Sequence, residues 1–405
     1  MRRTIPLIAS LSVLTVLSGL SVARADKPAP AAAPPGTKAR YAMDVGTMTG
    51  MAGMGGGMGG AMSMMFGGGN REMRELRLRL GSTAPAPASP VADHYFLPAA
   101  KLGKSVPLLI PERHPTEGTP AEFQRPKGRL ILFWGCGAKA QKGQPVIIDF
   151  SKLAANQIPP GLFSSTVPVD RGPTPANSRT YAEWPNKKSG KPPSSGSSLL
   201  GAHRIAANYA PEIAFSLTQD YMAGLTGKST VVNGTTILSW NSVPTATGYY
   251  AWAMGAKMEG GGEPHDFVWW TSSLSKEFGG GLWDWLPPAT VQKLIAQKVV
   301  MPPTQTSCAI PQEVKTYAPD FMMGNLYAYG PEANFSYPPK PVNAPASWSP
   351  DWTARVRYRS FTSWMIGGAM GGMGMDMSEA DDQPQQQPQK KCKPSLMGAV
   401  LGKGC

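Results

Sequence analysis

Hydrophobic and polar residues alternate with a period of two through much of this chain. In "MRELRLRLG", residues 73–81, Leu76, Leu78 and Leu80 fall on one side and the arginines on the other, the pattern of a strand with one buried face. "ARVRYRSF" at 354–361 does the same, with Val356, Tyr358 and Ser360 inward and Arg355, Arg357 and Arg359 on a wet face. Ile213, Phe215 and Leu217 alternate with Ala214 and Ser216. "GRLILFW" and "PVIIDF" are short β-branched and aromatic runs bounded by glycine and proline, again strand-like. Helical periodicity is scarce. "TVQKLIAQKVV" at 290–300 is the best amphipathic helix, and it is short enough to be a strand pair instead. Residues 165–200, rich in Ser, Pro, Gly and Asn, predict a long loop.

Self-comparison finds an internal repeat. "LFWGCGAKAQKGQPVIIDF" at 132–150 matches "YAWAMGAKMEGGGEPHDF" at 250–267, and "NYAPEIAFSL" at 208–217 matches "AYGPEANFSY" at 328–337. The offsets are 118 residues at Gly137 and Gly255 and 120 residues at Tyr209 and Tyr329. Nearly equal spacing of two separate matches predicts two tandem copies of one β unit.

The second copy opens on "TTILSWNSVPTATGYYAWAMG", with Leu238-x-Trp240, Val243-Pro244 and Ala246-Thr247-Gly248-Tyr249. This opening resembles a fibronectin type III module over residues 235–313, although "LPPATVQ" lacks the family's later tyrosine. The remainder of the chain resembles an exported bacterial protein. The resemblance implies an immunoglobulin-like sandwich that binds or spaces. The predicted class is therefore all-β: tandem immunoglobulin-like β-sandwich domains with Gly/Met-rich loops and disordered termini. The predicted division runs 1–25 signal peptide, 26–38 Pro/Ala linker, and 39–82 strands around a Met/Gly loop at 50–69. The first sandwich copy then covers 83–227 and the second 228–363, followed by a Met/Gly-rich and Gln/Pro-rich spacer at 364–391 and a cysteine-closed tail at 392–405.

Composition places the protein outside the cytoplasm. Arg2 and Arg3, an apolar stretch from Ile5 to Val22, and Ala23-Arg24-Ala25 before Asp26 form a secretory signal, with cleavage between Ala25 and Asp26. The localisation expected is periplasmic, cell-envelope or extracellular. No transmembrane segment is predicted after cleavage, since no later stretch approaches ~20 apolar residues. The 46 glycines and 41 prolines, with only 16% charged residues, favour turn-rich β structure. A formal charge of +13 suits an anionic surface or envelope polysaccharide as partner. Its dispersed lysines and arginines, without a recognition motif, argue against nucleic acid. Cys136, Cys308, Cys392 and Cys405 allow three disulfide pairings. The short loop "CKPSLMGAVLGKGC" favours Cys392 with Cys405, leaving Cys136 for Cys308.

Candidate chemistry is thin. Nucleophile-elbow, zincin, Walker and dinucleotide motifs are missing, and His265 beside Asp266 reads as an ordinary loop histidine. The protein is therefore not expected to be an enzyme or to carry a cofactor. Trp269, Trp270, Trp283 and Trp285 crowd one part of the second copy, and exposed members of the group could stack on a glycan. The function expected is a structural or binding role through glycan or envelope-surface contact. The alternative is Cu(I) or Ag(I) binding by the Met/Gly tracts "GMAGMGGGMGGAMSMMFGGG" (50–69) and "WMIGGAMGGMGMDM" (364–377). Thioethers are soft ligands suited to copper. The candidates are Met51, Met54, Met58, Met62, Met64, Met373, Met375 and Met377.

Overall fold

The computed structural model describes residues 36–54, 72–112, 128–152, 162–168, 170, 172–257, 266–319, 321–345 and 347–367. The protein is mostly β, as its alternation predicts. Among the described residues, three sheets form, and the largest has nine strands in the order β6-β5-β13-β12-β15-β16-β1-β2-β7. Its strands are β1 (Ala39–Gly50), β2 (Met73–Ser82), β5 (Arg129–Trp134), β6 (Val146–Asp149), β7 (Thr180–Trp184), β12 (Gly248–Ala256), β13 (Asp266–Thr271), β15 (Phe321–Tyr337) and β16 (Trp352–Ile366). A four-stranded sheet joins β3 (Ala92–Tyr95), β4 (Ser105–Pro107), β8 (Gly201–Ala207) and β9 (Ala210–Leu217). A three-stranded sheet joins β10 (Gly227–Val232), β11 (Thr235–Trp240) and β14 (Ser307–Ile310).

The central strands read as continuous apolar runs because both of their faces are covered. All nine residues of β12 are buried. One face packs on the two small sheets through a core that includes Val45, Leu78, Ile213, Leu238, Trp270 and Val356. The other face lies under residues 272–301, whose helix α1 (Pro288–Ala296) realises the amphipathic run at 290–300. Its core holds Trp252, Trp269, Phe278, Leu294 and Tyr329.

Most strand pairs are antiparallel, but β5 with β13 and β1 with β16 are parallel. Twelve consecutive pairs, from Ala39–Trp352 to Gly50–Ser363, join the first and last described strands. The sheet runs across the boundary at 227/228, since β5 and β6 lie directly beside β13 and β12. The long loop expected at 165–200 contains β7, which pairs with β2; its Thr-Tyr-Ala-Glu-Trp run has the β propensity that composition alone obscured. Cys136 and Cys308, 172 positions apart in sequence, form a disulfide that ties the end of β5 to β14. The signal-cleavage residues Ala25 and Asp26, and Cys392 and Cys405, lie outside the described residues.

Candidate functional site

The inward leucines of β2 are buried as alternation requires, and so are Val356, Tyr358 and Ser360 of β16. Arg77 of β2 is exposed as expected, but two arginines of β16 are not on a wet face. Arg357 is 2% exposed and Arg359 9%. Segment 162–178 and the turn around Gly280–Trp283 fold over that side of the sheet and bring carboxylates and carbonyls to meet them. Asp44 accepts from Arg357 Nε at 2.7 Å and from Arg79 at 2.6 Å. Asp170 pairs with Arg79, Arg355 and Arg357. Arg359 donates to Glu75 at 2.9 Å and lies 3.5 Å over the Trp285 ring. Burial alone would raise the Asp44 carboxyl, but Arg357 and Arg79 outweigh it and hold it below the usual range. Asp170 is also held down, again against burial, by Arg357 and Arg355. Arg79, Arg355, Arg357 and Arg359 face Asp44, Asp170, Asp284 and Glu75, so the cluster is neutral.

A second buried polar group joins β1 to the four-stranded sheet. Leu199 carbonyl can only accept, so His203 Nε2 donates to it at 2.7 Å. His203 Nδ1 then accepts from His94 Nε2 at 2.9 Å, and His94 Nδ1 accepts from the Tyr41 hydroxyl. Every proton is placed with both imidazoles neutral. Desolvation pushes His94 far below its ordinary range, helped by His203, and lowers His203 too. Phe96 stacks on His94 and Phe215 on His203. The inward parity of Ala92, His94 and Phe96, and of His203 and Ile205, was legible as alternation. Their meeting was not, because the two strands are 109 residues apart.

The tryptophans require a correction. Trp269 and Trp270 point to opposite faces, yet both have no exposed surface, because both faces are covered. Trp285 is 2% exposed and donates from Nε1 to Val45 carbonyl at 3.0 Å. Trp283 is half-buried, stacked on Trp269 with ring centres 5.8 Å apart. Trp269, Trp270 and Trp285 are core and have no face to offer a sugar, while Trp283 packs against that core with part of its surface exposed.

The methionine tracts are placed by the sheet register. β1 and β16 run in the same direction and end side by side, so both tracts leave from one end of the sheet. Gly50 makes that exit possible: its φ is +62°, and a Cβ there would sit 2.3 Å from Ser363 carbonyl oxygen. Met51 and Met54 belong to the 3-10 turn Met51–Met54 that follows β1. Met58, Met62, Met64, Met373, Met375 and Met377 lie outside the described residues. Met48 and Met73 face each other where the chain leaves β1 and re-enters β2. Beside them an open cavity of about 250 Å³ is lined also by Arg74, Arg77, Trp184 and Pro193.

The same end adds Met254 and Met323, which lie outside the tracts, to Met365, the first methionine of the second tract. Met254 of β12 lies opposite Met323 of β15, which lies opposite Met365 of β16. Facing residues of antiparallel neighbours project to one side of a sheet, so these three form a row. Of the eleven described methionines, eight belong to this end: Met48, Met51, Met54, Met73, Met254, Met322, Met323 and Met365.

Fold and site define a mostly-β protein whose nine-stranded sheet is covered on both faces and carries methionine at one end. No protein-family model, no curated protein and no solved structure matches the chain. No described helix is long and apolar enough to cross a membrane.

Proposed function

We propose that this protein is an exported, non-catalytic scaffold whose working part is the methionine end of the sheet, used to contact an anionic envelope surface. The observation that carries the reading is the parallel, in-register pairing of β1 with β16, which launches both Met/Gly tracts from adjacent strand ends. Methionine on glycine-rich chain is an adaptable apolar contact material, and paired tracts offer more of it at one place than either alone. Charge supports the choice of an anionic partner: the buried cluster is neutral, so the +13 is carried by the rest of the chain. Each ring nitrogen of the histidine pair has a partner, and every arginine of the ion cluster is paired with a carboxylate although Arg79 Nε and Arg359 Nε have no partner, which fits a structural use better than a catalytic one. The finer reading of the fold is two copies of an immunoglobulin-like unit, the second with a fibronectin type III-like start. It draws support from the matched hairpins β5–β6 and β12–β13, which are neighbours in the sheet.

Flotation on vesicles tests the function. The purified protein is expected to float with vesicles containing phosphatidylglycerol, less so at high salt, and not with phosphatidylcholine alone. Replacing residues 55–71 by a Gly/Ser chain of equal length should abolish flotation. Protein that stays in the dense fraction with both vesicle types removes the reading.

A further inference from the structure

We infer that Met254, Met323 and Met365, the last being the first methionine of the second tract, form a binding site for a soft monovalent cation, Cu(I), built into the strands of the sheet. Strand positions ordinarily favour β-branched and aromatic residues, yet three successive strands place methionine at one level and on one face. Facing side chains on neighbouring strands start ~5 Å apart. With three rotatable bonds each, the outer two thioethers can lean over the middle one and converge on a single ion. Met254 is buried, while Met323 and Met365 are half-buried, so the row is anchored at one side and open at the other.

The surroundings select for softness. Trp269 lies opposite Met254 on β13, and the next level along the strands holds Trp252, Asn325 and Ser363. None of these four described neighbours carries a carboxylate, imidazole or thiol. Among the described residues, no group of three or more His, Cys, Asp or Glu could hold a metal. Thioether sulfur discriminates for Cu(I) over the harder divalent ions. The concentration of eight of the eleven described methionines at this end is a separate sign that sulfur is collected here.

The test is anaerobic competition for Cu(I) against a chromophoric chelator, using the whole protein under reducing conditions. The wild type should withdraw one Cu(I) per chain. Met323→Leu/Met365→Leu should weaken binding at least tenfold, while Met58→Ser/Met62→Ser/Met64→Ser in the first tract should leave it within twofold. Circular dichroism and the unfolding midpoint establish that the leucine variant is folded. If it is not, X-ray absorption on the tract variant decides the matter, since a sulfur-only copper shell is expected and nitrogen or oxygen ligands overturn the site. A wild type unable to compete, or a folded leucine variant binding as tightly as wild type, also overturns it. The 55–71 replacement keeps the two proposals apart, because it should abolish flotation while leaving the affinity for Cu(I) within twofold.

Discussion

His94 and His203 show how one buried pair can make stability depend on acidity. Their folded-state affinities for a proton are lowered, chiefly by desolvation. Above about pH 6.5, the ordinary histidine value, folded and unfolded chains are both neutral there and the pair adds no pH dependence. As pH falls below that, the unfolded chain takes up protons that the folded one refuses. Stability should then drop by about 1.4 kcal/mol per pH unit for each histidine, until the folded state itself protonates. Urea unfolding between pH 8 and 5 checks this. His94→Leu/His203→Leu should be less stable at pH 8, with Tyr41 hydroxyl and Leu199 carbonyl left unpaired, but flatter below pH 6.5. The same scale governs the ion cluster. Arg357→Met leaves the Asp44 carboxylate with Arg79 as its remaining partner and should cost about 1.5–3 kcal/mol by urea unfolding, whereas Asp44→Asn/Arg357→Met should recover part of the loss. The lowered Asp44 and Asp170 values add stability that is complete above the ordinary carboxylate range and lost as pH falls through their folded values.

Strands show where a shared sequence meets different surroundings. Tyr209 lies in the two-residue turn between β8 and β9 and Ala210-Pro211-Glu212 opens β9, while Tyr329-Gly330-Pro331-Glu332 makes a bulge inside the unbroken β15. The difference lies in what approaches. A Cβ on Gly330 would sit 2.3 Å from Met222 Sδ and 2.7 Å from Tyr358 carbonyl oxygen. Gly330→Ala is therefore expected to destabilise by about 1–3 kcal/mol, the range for overpacking. Ala210→Gly in β9 should cost only about 0.5–1 kcal/mol, from chain entropy. Thermal unfolding of both variants separates the two cases. The alternation that locates β2, β9 and β16 reads directly from their residues. β1 and β12 hide it, because strands covered on both faces carry apolar residues on both sides.

Across the whole molecule, closure depends on contacts far apart in the chain. Removing the Cys136–Cys308 disulfide releases a loop of 172 residues in the unfolded state, and losses of about 2–5 kcal/mol are typical for such links. Cys136→Ser/Cys308→Ser should lower the unfolding midpoint accordingly, and added reductant should bring the wild type toward the same value. The residues alone determined the β class, the inward faces of the alternating strands and the wealth of methionine, while leaving 290–300 open between helix and strand pair. These follow from period, propensity and composition, which are local. Only the tertiary structure decided that Arg357 and Arg359 are buried, that Trp269, Trp270 and Trp285 are core, and that β1 lies parallel to β16. Each depends on which segment covers which face, and covering is a relation between residues hundreds of positions apart. The two methionine tracts illustrate the division: their chemistry is written in the chain, and their common point of departure is set by the register of the sheet.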